Sequence, residues 1–219
     1  MKKVAIIVAG GKGLRMNSEM PKQFLLLQDK PILIHTIEKF IHFDDVILVL
    51  PKEQTTLWNE ICKKYNFTIP HKITEGGATR FQSVKNGLEK VENNAVVAIH
   101  DGVRPLVSEN LINSLVKEVR QGIGVIPVIP VTDSIRKVEE DISIHVDRYN
   151  LFKVQTPQCF LSSEIKEAYS QNYSELFTDD ASVFETKGGQ INTILGEEKN
   201  IKITTEEDLK IADIFTRQL

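Results

Sequence analysis

Four short runs made almost wholly of Val, Ile, Leu and Ala constrain this chain more than any other feature. They are Lys3–Val8, Val46–Leu50, Ala95–Ile99 and Gly124–Val128. None alternates apolar with polar residues, so each reads as a strand buried on both faces, the pattern of a parallel sheet rather than a half-solvated antiparallel one. Segments with helical spacing lie around residues 31–41, 53–65, 79–90 and 108–120, with later ones around 162–171 and 205–217. Strand–helix alternation of this kind predicts an α/β fold: a Rossmann-like, mainly parallel sheet with helices on both faces. No repeat, low-complexity tract or flexible linker interrupts it. At 219 residues the economical reading is one domain, residues 1–219.

Residues 131–153 depart from the pattern. They alternate apolar and polar residues around Glu139-Glu140-Asp141, which predicts a solvated β-hairpin protruding from the body. Such a hairpin leaves strand edges uncovered, and a second subunit could cover them.

The first strand runs directly into a glycine loop. Residues 9–24 read Ala-Gly-Gly-Lys-Gly-Leu-Arg-Met-Asn-Ser-Glu-Met-Pro-Lys-Gln-Phe. Gly10, Gly11 and Gly13 leave the backbone bare, so that with Ala9 their N–H groups can bind a nucleotide's polyphosphate, and Arg15 and Lys22 bring two fixed positive charges to the same loop. The loop is not a Walker A motif, because no Gly-Lys-Ser/Thr follows a first glycine at the required spacing. It is not Gly-x-Gly-x-x-Gly either, since Met16 stands where the third glycine belongs. The bare nest with Arg15 and Lys22 reads as a nucleotide site of another kind, and the alternative is a tight turn rich in glycine.

Composition narrows the partners. A net charge of −3 argues against nucleic acid, which calls for a basic face. Cys62 and Cys159 are the only cysteines and define neither a disulfide framework nor a metal pattern. The apolar run at the N-terminus stops after six residues at Gly10, short of the ~7–15 of a secretory core. No run approaches the ~18 residues of a membrane span. The expectation is a cytoplasmic protein with no membrane partner.

Further clusters carry chemistry. Asp101 stands just beyond Ala95–Ile99 in His100-Asp101-Gly102-Val103-Arg104-Pro105, where ligands bind on open parallel sheets. A carboxylate there can hold Mg²⁺, or another divalent cation, together with triphosphate oxygens. The alternative is an aspartate that orders its loop by pairing with Arg104. Nothing makes His100 a base, and it reads as structural. Gly76-Gly77-Ala78-Thr79-Arg80-Phe81-Gln82-Ser83 precedes a helical pattern, with Arg80 and Ser83 on one face; its hydroxyls and free N–H groups suit a base or ribose, or simply a helix cap. Arg148 offers a planar fork for a phosphate, and Thr156 a hydroxyl. Thr178-Asp179-Asp180-Ala181-Ser182 is a capping sequence, Asn200–Thr204 reads as a short strand carrying Lys202, and Thr205 caps the last helix.

Ala-Gly-Gly-x-Gly-x-Arg-Met followed by Pro-Lys-Gln resembles the signature of nucleotidyltransferases that make activated sugars or polyols. With His-Asp-x-x-Arg-Pro, Asp-Arg-x-x-Leu…Thr-Pro-Gln, Thr-Asp-Asp-Ala-Ser and Asn-Ile-Lys in the family's order, the chain resembles the 2-C-methyl-D-erythritol 4-phosphate cytidylyltransferases over essentially its whole length. The resemblance implies CMP transfer from CTP to that polyol phosphate, with a ribitol- or sugar-phosphate enzyme, or a non-catalytic CTP-binding module, as alternatives. It implies that Arg15, Lys22, Arg148 and Lys202 carry the reaction and that Gly77 and Ser83 meet the cytosine. It assigns Arg104, Ser134, Arg148, Thr156 and Thr178 to the acceptor, and makes residues 131–153 an arm that interlocks a homodimer. Ala78 departs from the acidic residue many members carry there, and Ser134 replaces a common Thr but keeps the hydroxyl.

Overall fold

The computed structural model describes residues 1–10 and 20–217. Its first strand, β1 (Lys2–Val8), shows why the apolar runs are continuous. Val4 and Ile6 point into one core and Ala5 and Ile7 into another, and Ile6 and Ile7 are both fully buried. Side chains alternate across a strand, so a strand covered on both faces must be apolar at every position. Burying each such Val or Ile contributes roughly 1.5–3 kcal/mol.

The neighbours repeat the logic. After a short hairpin of β2 (Leu26–Leu27) and β3 (Lys30–Pro31) come α1 (Ile32–Glu38), β4 (Asp45–Leu50), α2 (Thr55–Lys64), β5 (Lys72–Glu75), α3 (Arg80–Leu88), β6 (Ala95–Asp101), α4 (Glu109–Glu118) and β7 (Ile123–Pro130). Helices α1, α2 and α4 pack on the face of Ala5 and Ile7, while α3 packs on the face of Val4 and Ile6. Strand β1 pairs in parallel with β4 and β6, and β4 in parallel with β5. Each connection crosses over through a helix, as parallel pairing requires.

Residues 135–146 form the expected exposed hairpin, β8 (Ile135–Glu139) and β9 (Ile142–Val146), turning at Glu140-Asp141 with Glu140 at φ 50°. The segment does not end there. Phe152 and Lys153, within the arm expected over 131–153, belong with Val154 to a separate strand β10 (Phe152–Val154) that runs antiparallel on β7 and roots the arm in the main sheet. Strand β11 (Gln158–Leu161) is antiparallel to β6 and β7, then α5 (Ser162–Ala168) and α6 (Asp180–Glu185) cover the α3 face. Strand β12 (Gln190–Leu195) adds in parallel to β7, and α7 (Glu206–Thr216) closes the chain. The eight-stranded sheet is therefore mainly parallel, with β10 and β11 reversed.

One expected strand is absent. Residues 200–204 form no ladder; a single backbone bond, Ile203 N to Val103 O at 2.9 Å, ties them to the body. The apolar residues of Ile-Lys-Ile fit a strand pattern, but no strand lies alongside to pair with them. Among the described residues no helix is long and apolar enough to cross a membrane.

Candidate active site

The carboxyl ends of β1, β4 and β6 meet at one point. Ala9 N bonds to Val49 O and Gly102 N to Val8 O, both at 2.9 Å, and Gly76 N bonds to Leu50 O at 2.8 Å, so the loops that follow β1, β5 and β6 come to the same place. A cleft of about 500 Å³ opens there. Its walls include Ala9, Gly10 and Lys22 from the first loop, Gly77 and Ser83 from the second, and Asp101 and Lys202. The sequence reading scattered these residues over nearly 200 positions, and the fold collects them. Gly11, Gly13 and Arg15 lie outside the described residues.

Lys22 arrives by way of its neighbour. Gln23 is buried, and its Nε2 donates to Ala9 O at 2.9 Å and to Gln54 Oε1 at 2.5 Å. That amide pins the Pro21-Lys22-Gln23 turn against the end of β1. The second loop is fixed by Ser83, whose Oγ accepts from Gly77 N at 3.0 Å and donates to Thr79 O at 2.9 Å. Thr79 caps α3 by accepting from Gln82 N. Gly77 must lack a side chain, since a Cβ there would lie 2.1 Å from Gln82 Cγ.

Asp101 is the electrostatic centre. It ends β6 rather than following it, and its carboxylate faces Lys202 Nζ at 3.1 Å, Arg104 Nε at 3.2 Å and Arg80 Nε at 3.8 Å. Burial alone would push the carboxyl up, but Lys202, Arg80 and Arg104 outweigh it and hold Asp101 well below the usual carboxylate range. Arg104, assigned to the acceptor from sequence, is buried and turned inward: besides Asp101 it donates from Nη1 to Asn200 O at 2.7 Å. The loop-ordering pair offered as the alternative reading is thus present. Thr156, also buried, accepts from Asp101 N at 3.1 Å and meets His100 Nδ1 at 3.0 Å. His100 is fully buried, and burial pushes its imidazole down to about 4, so it is a neutral hydrogen-bonding group. That agrees with its structural reading.

Arg80 carries a role the sequence did not reveal. Its guanidinium lies on Asp180 through two parallel bonds of 2.8 and 2.7 Å, and Tyr169 donates to the same carboxylate at 2.6 Å. The signal was present in an arginine directly after the helix cap and a second aspartate in Asp179-Asp180. Asp179 itself caps α6 in a capping box with Ser182. Thr178 is exposed at that helix start.

The remaining assigned residues are elsewhere. Ser134 and Arg148 are exposed at the arm, where Arg148 Nη1 donates to Thr132 O, and neither lines the cleft of its own chain. Among the described residues no group of three or more His, Cys, Asp or Glu side chains is placed to hold a metal. Among the described residues Asp101 is the carboxylate in the cleft wall, which suits an ion bound through one carboxylate plus substrate phosphates rather than an all-protein cage.

A cationic cleft lined by Gly10 and Gly77, at the carboxyl edge of a parallel sheet, fits a nucleoside triphosphate. A family model described as IspD, 2-C-methyl-D-erythritol 4-phosphate cytidylyltransferase, matches residues 3–218. The chain belongs to this family. A member from Azobacteroides pseudotrichonymphae is 52% identical over 217 residues, covering 96% of this chain and 97% of its own. One from Bacteroides fragilis is 50% identical, covering 97% and 98%. The crystal structure of the Francisella tularensis family member has a TM-score of 0.81 at 30% identity, covering 98% of this chain and 99% of its own. That of the Thermus thermophilus member gives 0.81 at 27%, covering 99% and 98%.

Proposed function

We propose that the chain transfers CMP from CTP to 2-C-methyl-D-erythritol 4-phosphate, forming 4-diphosphocytidyl-2-C-methyl-D-erythritol and pyrophosphate, a step in isoprenoid precursor synthesis. The observation that carries the reading is the match of nearly the whole chain to this family, on a structure that gathers Lys22, Asp101 and Lys202 around one cleft.

In this reading an acceptor phosphate oxygen attacks the α-phosphorus of CTP, and the bond to the pyrophosphate oxygen breaks on the opposite side. The acceptor phosphate is already anionic near pH 7, so no general base is needed. The protein's contribution is then positioning and charge stabilisation. Arg15 and Lys22 stabilise the triphosphate as charge develops. Gly77 and Ser83 offer the hydrogen-bonding edge for cytosine, and Lys202 lies where the two phosphates meet. Asp101 would hold Mg²⁺ together with the triphosphate oxygens, and the ion would supply charge neutralisation there.

Arg148 completes the site in a homodimer. The arm exposes Val138 at 67%, Ile142 at 63% and Ile144 at 56%, apolar surface that a second copy would cover, and Arg148 reaches an acceptor's phosphate from there. The chain works in the cytoplasm, where its two free thiols stay reduced. The test is pyrophosphate release with CTP and the acceptor, followed by mass spectrometry of the product. Absence of the diphosphocytidyl product would refute the reading.

A further inference from the structure

Lys202 reaches Asp101 from a stretch with no regular structure. Between Leu195, which ends β12, and Glu206, which begins α7, the backbone joins no ladder, yet the ammonium stands 3.1 Å from a buried carboxylate. Lysine is a flexible point charge that does not fix its own position. Something else must hold the strap that carries it.

Ser108 binds the Glu197 carboxylate, Arg104 binds Asn200 O and Ile203 is buried, but one side chain meets the strap at both Glu197 and Asn200. Gln155 is 4% exposed and follows directly on β10. Its amide pairs with both backbone groups of Glu197: Nε2 donates to Glu197 O at 2.8 Å, and Oε1 accepts from Glu197 N at 3.2 Å. That is the two-bond exchange by which residues on neighbouring antiparallel strands pair, made here by a side chain. The same amide meets Asn200 O at 3.3 Å and Asn200 Nδ2 at 3.4 Å. Asn200 in turn bonds Thr156 O and receives Arg104. The residue before Glu197 is Gly196, where a Cβ would lie 2.4 Å from Gln155 Oε1. Only glycine lets the amide approach so closely.

We propose that Gln155 is a positioning residue for the transfer reaction: its amide stands in for a strand partner to residues 197–200 and so sets where Lys202 presents its charge beside Asp101. Gln155 does not line the cleft; it acts through the strap. The inference rests on the reading of the cleft as the transferase site, and it separates the charge of Lys202 from the placement of that charge.

The test compares Gln155→Ala and Gly196→Ala in full-length protein, each with Lys202 intact and in a Lys202→Met background. With Lys202 intact, each lowers kcat by about 10- to 100-fold, the scale of an ångström-sized misplacement. Each also speeds hydrogen exchange at the Glu197 and Ile203 amides while circular dichroism stays native. The double variant Gln155→Ala/Gly196→Ala is no worse than either alone, because both act on one contact. In the Lys202→Met background, Gln155→Ala changes kcat less than about twofold. Should Gln155→Ala fail to fold, Gln155→Glu keeps its shape and turns an oxygen toward two carbonyls, and the same losses are expected of it. An equal loss with and without Lys202 would make Gln155 a merely structural residue and overturn the proposal, as would unchanged exchange in the strap. Wild-type protein that transfers no CMP would refute the transferase reading instead, and exchange at Glu197 and Ile203 would still decide whether Gln155 holds the strap.

Discussion

Replacing Asp101 by asparagine keeps the side chain's shape and removes the one charge that Lys202, Arg104 and Arg80 share. At an effective dielectric near 20, a pair at 3.1 or 3.2 Å attracts by about 5 kcal/mol before desolvation is counted. Breaking a buried pair from one side typically costs ~3–5 kcal/mol net. The lower end applies here, since Lys202 is 41% exposed and Arg80 keeps Asp180. A loss of about 3 kcal/mol lowers Tm by roughly 6–12 °C in a chain of this size. The pH dependence has a definite sign. The folded pKa lies below the unfolded value of about 3.9, so the contribution of Asp101 is fully present above that value and is lost as pH falls toward the folded one. Between pH 5 and pH 3 the unfolded carboxylate takes up most of a proton while the folded one stays ionised. The wild type's advantage over Asp101→Asn therefore shrinks by about 1 kcal/mol. Urea denaturation of both proteins at the two pH values measures it. An advantage below about 1 kcal/mol at pH 7, or one that widens on acidification, would refute the reasoning.

Four further outcomes are expected. Lys22→Ala or Arg15→Ala lowers turnover by ~10²–10³ with the fold intact, measured by pyrophosphate release and circular dichroism; near-normal turnover would remove these residues from the reaction. Arg148→Lys keeps the charge but loses the fork, so acceptor kcat/KM falls while CTP affinity by calorimetry holds, and the reverse pattern would place Arg148 in the wrong subsite. Ile144→Glu, on the exposed face of the arm, shifts light scattering toward monomer and lowers activity with it; an active monomer would exclude the arm as an interface. His100 stays neutral until its folded pKa near 4, so its contribution to stability falls as pH drops from 6.5, and its imidazole NMR signal is unchanged between pH 8 and pH 5. Titration near 6.5 would contradict its burial.

Much of this was legible because its causes are local. Continuous apolar runs such as Val4–Val8 announce strands buried on both faces, and the caps at Thr79, Asp179 and Thr205 sit where hydroxyl or carboxylate side chains precede helical spacing. The strands that escaped notice lack such signals. Gln190–Leu195 is half polar because it lies beside β7 with exposed positions, and Gln158–Leu161 has only four residues. Lys202 suggested a strand because Ile201 and Ile203 alternate around it, but a ladder needs a partner that no local pattern supplies. For the same reason the distant partners of Arg80, Arg104 and Gln155, namely Asp180, Asn200 and Glu197 at 100, 96 and 42 positions away, emerge only from the fold. Sequence ranked Arg104 with the acceptor; in the structure its guanidinium is occupied with Asp101 and Asn200.

The most direct measurement offers the protein both candidate acceptors at once. Equal concentrations of 2-C-methyl-D-erythritol 4-phosphate and ribitol 5-phosphate are incubated with CTP and Mg²⁺, and the diphosphate products are resolved by ³¹P NMR as they form. The methylerythritol product accumulates first and in large excess, and it disappears when ATP replaces CTP. A ribitol product in excess, or equal turnover with ATP, would contradict the assignment of acceptor or base.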